Sequence, residues 1–253
     1  VTTPELLRAV RRQAVSVSLA TGLYGVSFGA LSVTSGLDVA QTMALSLLLF
    51  SGGSQFALIG VLGAGGAVGA AVASAALLGA RNALYGAQLA PLLSLPASQV
   101  LPAAQLTIDE STAVATAQQD RTAARVGFWW TGAGVFVLWN LCTLAGAVAG
   151  DRMGDPRAYG LDAAAAAAFL ALVWPRLGGP GGRTARLVAA AAVVVALAAT
   201  PLVPAGVPVL LAAAVAILVG VLSPVLPAAG VPRGAADRPE DAPEERDDGR
   251  GAT

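Results

Sequence analysis

From Gly65 to Leu93 the chain runs through 29 residues that are mostly Ala, Gly and Leu and carry a single charge, Arg81. Eighteen or more apolar residues with few charges read as a membrane-spanning helix. In lipid the backbone polar groups of such a segment must be satisfied internally, which a helix does. A charge at the centre of a span costs roughly 2.5–3.5 kcal/mol on insertion scales. A chain keeps it where it faces a bundle interior or a water-filled path. About 25 residues further on, Asp109 and Glu110 lie inside another weakly apolar stretch, Ala97–Gln119. A cation and an acidic pair, both at membrane depth, point to a solute or proton pathway.

The composition agrees with this reading. The chain is 56% hydrophobic and 12% charged, against about 25% charged residues in a soluble domain. At ~20 residues per span, 253 residues hold roughly six to eight spans and leave no room for a second soluble domain. The net charge is zero, so nothing points to nucleic acid. Cys142 is the sole cysteine, which rules out an intrachain disulfide, and there is no histidine. Zinc sites draw on His or Cys, so no metal is expected, and Ser–His chemistry is excluded. The metalloprotease pattern H-E-x-x-H and the phosphate-binding P-loop are both absent. An aspartyl dyad needs two well-separated aspartates within spans, and only Asp109 lies deep. The expectation is a non-enzymatic protein without a cofactor.

Apolar windows place spans near 14–34, 40–62, 67–93, 99–118, 126–149, 160–175, 184–201 and 206–226. The fourth is the most polar, and hydropathy alone would omit it and leave seven. Arginine distribution arbitrates, because cytoplasmic loops are enriched in basic residues. Eight spans with the N-terminus inside place Arg8, Arg11, Arg12, Arg121, Arg125, Arg176, Arg183, Arg186, Arg233 and the tail arginines inside, and only Arg152 and Arg157 outside. The expected fold is therefore all-α: a polytopic membrane helix bundle of about eight transmembrane helices, some of them broken or re-entrant. Both termini would be cytoplasmic, and the fourth segment either spans or folds back. Residues 1–13 form a cytoplasmic segment and 14–226 the membrane domain. Residues 227–253 form a charged tail that lacks the apolar residues to fold. The first window is longer than the 7–15-residue core of a signal peptide, so it reads as a retained span.

Candidate site residues cluster in three places. Gly52 and Gly53 interrupt the second window, and each weakens a helix by about 1 kcal/mol. Ser54 and Gln55 beside them can satisfy freed backbone groups. Transporter sites are often built at such broken helices, while a tight helix crossing is the plainer alternative. Arg81 is followed by Asn82, Tyr85 and Gln88; Arg81, Tyr85 and Gln88 share one helix face, which should look inward. Asp109 and Glu110 point about 100° apart on a helix, so one can face a cavity while the other faces a partner. An ion pair that only holds the bundle together, or a polar surface loop, are the alternatives for these charges. Trp129, Trp130 and Trp174 fit interfacial anchors, and Trp139 and Asn140 lie mid-span. Gly25–Gly29 and Gly146–Gly150 are small-xxx-small patterns for close helix packing, and they also offer surfaces for a partner.

Five stretches occur in order: Gly22-Leu-Tyr-Gly-Val-Ser-Phe-Gly29, Phe50-Ser-Gly-Gly-Ser-Gln-Phe56, Arg81-Asn-Ala-Leu-Tyr-Gly86, Leu106-Thr-Ile-Asp-Glu-Ser111 and Gly160-Leu-Asp162. Together they resemble the large, AzlC-type subunit of the two-component branched-chain amino acid exporters, over about residues 14–226. The family's usual pattern has a histidine directly after the arginine, where this chain has Asn82. The resemblance implies a permease of the bacterial cytoplasmic membrane that exports branched-chain or other small neutral amino acids. It implies coupling to the proton gradient or membrane potential. It also implies a small, separately encoded AzlD-type membrane subunit as partner. A non-transporting scaffold subunit, or an exporter of an unrelated small solute, is the alternative.

Overall fold

A computed structural model describes residues 3–153 and 182–222, together with 170, 173, 174 and 177–179. The tail 227–253, the run Ala163–Ala168, Gly160–Asp162 and most of the window 160–175 lie outside the described residues. In chain order the helices are α1 (Pro4–Leu23), α2 (Gly25–Thr34), α3 (Val39–Leu48), α4 (Gly52–Gly63), α5 (Val68–Leu93), α6 (Ala97–Gln105), α7 (Asp109–Thr116), α8 (Arg121–Met153), α9 (Gly182–Ala199) and α10 (Val207–Leu222). The protein is all-α, with no strand among the described residues.

Three of these units are long and apolar enough to cross a membrane: Pro4–Thr34, Arg121–Arg152 and Gly182–Ala199. Val39–Leu48, Gly52–Gly63 and Val207–Val219 are shorter apolar helices. Leu48 and Leu101 are 80% and 82% exposed, a placement that favours lipid over water as their surroundings. The first helix starts ten residues before its apolar window, because Thr3 Oγ1 accepts the Leu6 N–H at 3.2 Å and Pro4 is pre-set for the first helical position. Arg8, Arg11 and Arg12 continue that helix on its exposed side, and Arg11 lies 5.4 Å over the Trp130 ring.

The long helix α8 is the spine, with α1, α2, α3 and α7 packed along it. Glycine makes the closest part of that packing. A Cβ on Gly22 would strike the Leu138 side chain, on Gly25 the Trp139 carbonyl, and on Gly29 the backbone at Thr143 and Ala147. From the other side, Gly146 meets the Val26 backbone and Gly150 meets Ala30. The two small-xxx-small patterns therefore pack against each other inside the chain. They are not surfaces presented to a partner, which corrects that part of the expectation.

Two windows that read as single spans are broken helices. Between α3 and α4 the chain leaves helical geometry at Leu49 (φ −97°, ψ 61°) and is extended at Ser51 (φ −156°, ψ 99°). Gln55 Nε2 reaches back 3.4 Å to the carbonyl of Ser46, which the break has freed, and 3.4 Å to that of Leu45, which also accepts the Leu49 N–H. Between α6 and α7 the chain is extended at Ile108 (φ −130°, ψ 175°). There Ser111 Oγ accepts the Ile108 N–H at 3.1 Å and donates to the Leu106 carbonyl at 2.6 Å. Gln105 Nε2 donates 2.8 Å to the Leu47 carbonyl and so ties the end of α6 to the end of α3. A milder interruption at Tyr24, still right-handed helical, separates α1 from α2.

Candidate functional site

The two breaks and the Tyr24 interruption open onto one cavity of about 270 Å³. Ala20, Thr21 and Tyr24 come from the first helix pair, and Phe50 through Gly53 and Phe56 from the start of α4. Ile108, Asp109 and Glu110 come from the start of α7, and Val135 and Trp139 from α8. Behind the wall lies a buried cluster of Phe28, Phe50, Phe56, Ile59, Ile108, Val135 and Trp139. Phe28 and Phe56 meet edge to face at 5.6 Å, and Phe28 stacks on Trp139 at 5.9 Å. A rigid aromatic shell thus holds the apolar side of the cavity. Its volume is below the roughly 300–1,000 Å³ of pockets for drug-sized ligands, so it suits a small solute.

The polar side is built around Arg81, at the middle of α5. Its guanidinium NH2 nitrogen lies 2.6 Å from Asp109 Oδ2, with the two side chains 24% and 19% exposed. The Tyr85 hydroxyl, one turn further along α5, donates to Asp109 Oδ1 at 2.7 Å. Both oxygens of Asp109 are therefore engaged from α5. The guanidinium passes across Gly53: a Cβ there would sit 2.8 Å from the Arg81 nitrogen. Glycine at 53 is thus what admits the arginine to the start of α4. Glu110 also lines the cavity, where the Thr21 side chain hydrogen-bonds its carboxylate.

The expected residues separate into two groups. Gly52, Gly53, Asp109 and Glu110 line the cavity, with Arg81 and Tyr85 holding Asp109 from behind. Ser54, Gln55 and Asn82 do not line it. Ser54 is fully buried with its hydroxyl 3.2 Å from that of Ser51, and Gln55 closes the α3–α4 break. Asn82 is half-buried on α5. Gln88 is exposed, so the inward polar stripe of α5 ends at Tyr85. Trp139 lines the cavity as its mid-span position suggested, whereas Asn140 Nδ2 donates to the Phe136 carbonyl of its own helix at 2.7 Å. Thr21, Tyr24, Phe50, Phe56 and Val135 complete the wall. None of them was among the expected site residues, although Tyr24, Phe50 and Phe56 lie in the stretches Gly22–Gly29 and Phe50–Phe56 that carry the resemblance.

Several apolar helices, two of them broken beside one small cavity, are those of a multi-pass membrane protein; transporter sites are often built at such breaks. The chain belongs to the AzlC family: the family model described as AzlC protein matches residues 16–153. That family is associated with branched-chain amino acid transport. The match covers α2 through α8 and the last eight residues of α1, and so includes the whole cavity. No curated protein and no solved structure matches the chain.

Proposed function

We propose that this chain is the larger subunit of a secondary transporter that exports branched-chain or other small neutral amino acids across the cytoplasmic membrane. One observation carries the reading: Asp109, held from behind by Arg81, lines a cavity formed where two broken helices meet. A mere strut needs no cavity beside it, and a mere gap needs no charge. Gly52, Gly53, Arg81, Tyr85, Asp109 and Glu110 form the substrate or proton pathway, and Ser54, Gln55 and Asn82 hold its frame. The proton gradient or the membrane potential supplies the driving force. A small AzlD-type membrane subunit completes the exporter. The arginine distribution supports eight spans with both termini cytoplasmic.

The test is efflux of preloaded labelled valine from cells expressing this chain with its small companion. Export should depend on both chains and should be abolished by Arg81→Ala. Parental export from the Arg81→Ala variant would overturn the pathway role of the pair and leave a scaffold reading in its place.

A further inference from the structure

Two helix starts face the cavity, and the chain treats them differently. A helix N-terminus leaves its first N–H groups without intrahelical partners and carries partial positive charge. At α7 the chain meets this charge itself, with Asp109 and Glu110 in the first turn. At α4 it does not. Ser51 makes no side-chain cap bond and the first turn holds no acidic residue. Among the described residues nothing accepts from the N–H of Gly52 or Gly53, although Gly53 is buried. Both glycines line the cavity. Trp139, 3% exposed, lines the same cavity with its ring against Gly52, and its indole N–H has no acceptor among the described residues. Unmet donors beside one small space call for an anionic acceptor within it.

The acidic residues are also unequal. Asp109 has each oxygen engaged, by Arg81 and by Tyr85. Glu110, the next residue, faces the cavity with Thr21 as its side-chain hydrogen-bond partner. An ionised carboxylate offers about four acceptor positions, so Glu110 keeps capacity for an ammonium group. Arg81 does not line the cavity. Its guanidinium lies against Gly53 and adds positive charge beside the start of α4.

We infer that the cavity holds an α-amino acid in one orientation, its ammonium on Glu110 and its carboxylate on the first-turn N–H groups of α4. The side chain then lies against Phe56, Ile108, Val135 and Trp139. Arg81 serves as a positioning residue that fixes Asp109 and the start of α4, and it makes no contact with the solute. This inference rests on the transport reading above and assigns each end of the solute to a named group.

The experiment is binding of labelled L-leucine to the full chain co-purified with its small companion in lipid nanodiscs, with two competitors. One is 3-methylbutylamine, which is leucine without its carboxylate; the other is 4-methylpentanoate, which is leucine without its ammonium. Glu110→Gln should weaken leucine by about tenfold or more, the size of a lost charge-assisted hydrogen bond. It should abolish competition by the amine and spare competition by the acid. Gly52→Pro removes one donor at the first helical position, which proline tolerates. It should do the reverse, and in each variant the spared competitor shows that the cavity is still folded. Should Glu110→Gln bind neither competitor, Glu110→Asp is expected to restore the amine, and its failure to do so overturns the assignment. If leucine binds but both variants rank the two competitors as the parent does, the orientation is wrong and the transport reading stands. If the parent chain does not bind leucine, amino acid transport and the orientation fall together.

Discussion

Glycine does opposite work in two regions of this protein. Along the seam between α1–α2 and α8, Gly22, Gly25, Gly29, Gly146 and Gly150 are covered by backbone or by the first side-chain atoms of the facing helix. Nothing enters that seam, and its glycines bring main chains together as small residues do in membrane bundles. At the start of α4, Gly52 and Gly53 face the ends of long side chains, the Trp139 ring and the Arg81 guanidinium. There glycine makes space that functional groups occupy. The same residue type is a fastener in one region and an aperture in the other. What differs is whether its neighbour is fixed backbone or the tip of a side chain.

The comparison breaks most visibly in the seam. Gly29→Leu places a branched side chain into the Thr143–Ala147 backbone, which cannot retreat without moving α8. Overpacking of this kind typically costs 1–3 kcal/mol and occasionally more, and here the obstacle is main chain. The membrane-inserted yield of the variant should collapse, as measured by fluorescence-detected size exclusion of a tagged chain. A Gly29→Leu chain that elutes as the parent does would show that the seam is looser than these contacts imply.

A second variant tests the aperture through what fills it. Arg81→Ala leaves Asp109 without its cation, and removing one partner of a buried pair typically costs about 3–5 kcal/mol. The partial exposure of both groups places this pair near the lower figure. Thermal melting should therefore fall, and the double variant Arg81→Ala/Asp109→Asn should recover part of the loss without regaining export. Failure of the double variant to recover any melting temperature would mean that Arg81 supports the fold through its contact with Gly53 rather than through charge.

The smallest effect belongs to Tyr85→Phe, which removes one neutral donor from Asp109 and leaves the ion pair in place. A hydrogen bond to a charged group is worth about 1.5–3 kcal/mol. Melting should drop by less than in Arg81→Ala, with export reduced rather than lost. Export equal to that of the parent would show that Asp109 is placed by Arg81 alone.

How much of this was legible in the sequence varied with the kind of residue. The pairing of Arg81 with Asp109 could be anticipated, because opposite charges at membrane depth have few other partners. Which of two adjacent carboxylates pairs with Arg81 could not, because a short helix can enter at any rotation and periodicity does not fix it. The broken second window was readable from Gly52-Gly53. The break itself falls earlier, at Leu49–Ser51, and the glycines form the first turn of α4. Ser54 and Gln55 were credible cavity residues by polarity. Gln55 takes the other role expected of it, donating to the Ser46 carbonyl that the break frees, because unsatisfied backbone in a membrane is the more expensive defect. Phe50, Phe56 and Val135 were absent from the expected site for the opposite reason: an apolar wall inside an apolar window leaves no contrast to read.

The bond from Gln105 to the Leu47 carbonyl bears on which changes in chain length this architecture can absorb. It joins the last residue of α6 to the end of a helix nearly sixty positions earlier. Composition within Ala97–Gln105 can drift freely as long as Gln105 keeps its angular position. Deleting one residue there rotates the glutamine by about 100° and draws it back about 1.5 Å, out of reach of its acceptor. Homologous chains built on this plan should therefore vary in the letters of that segment while conserving its count.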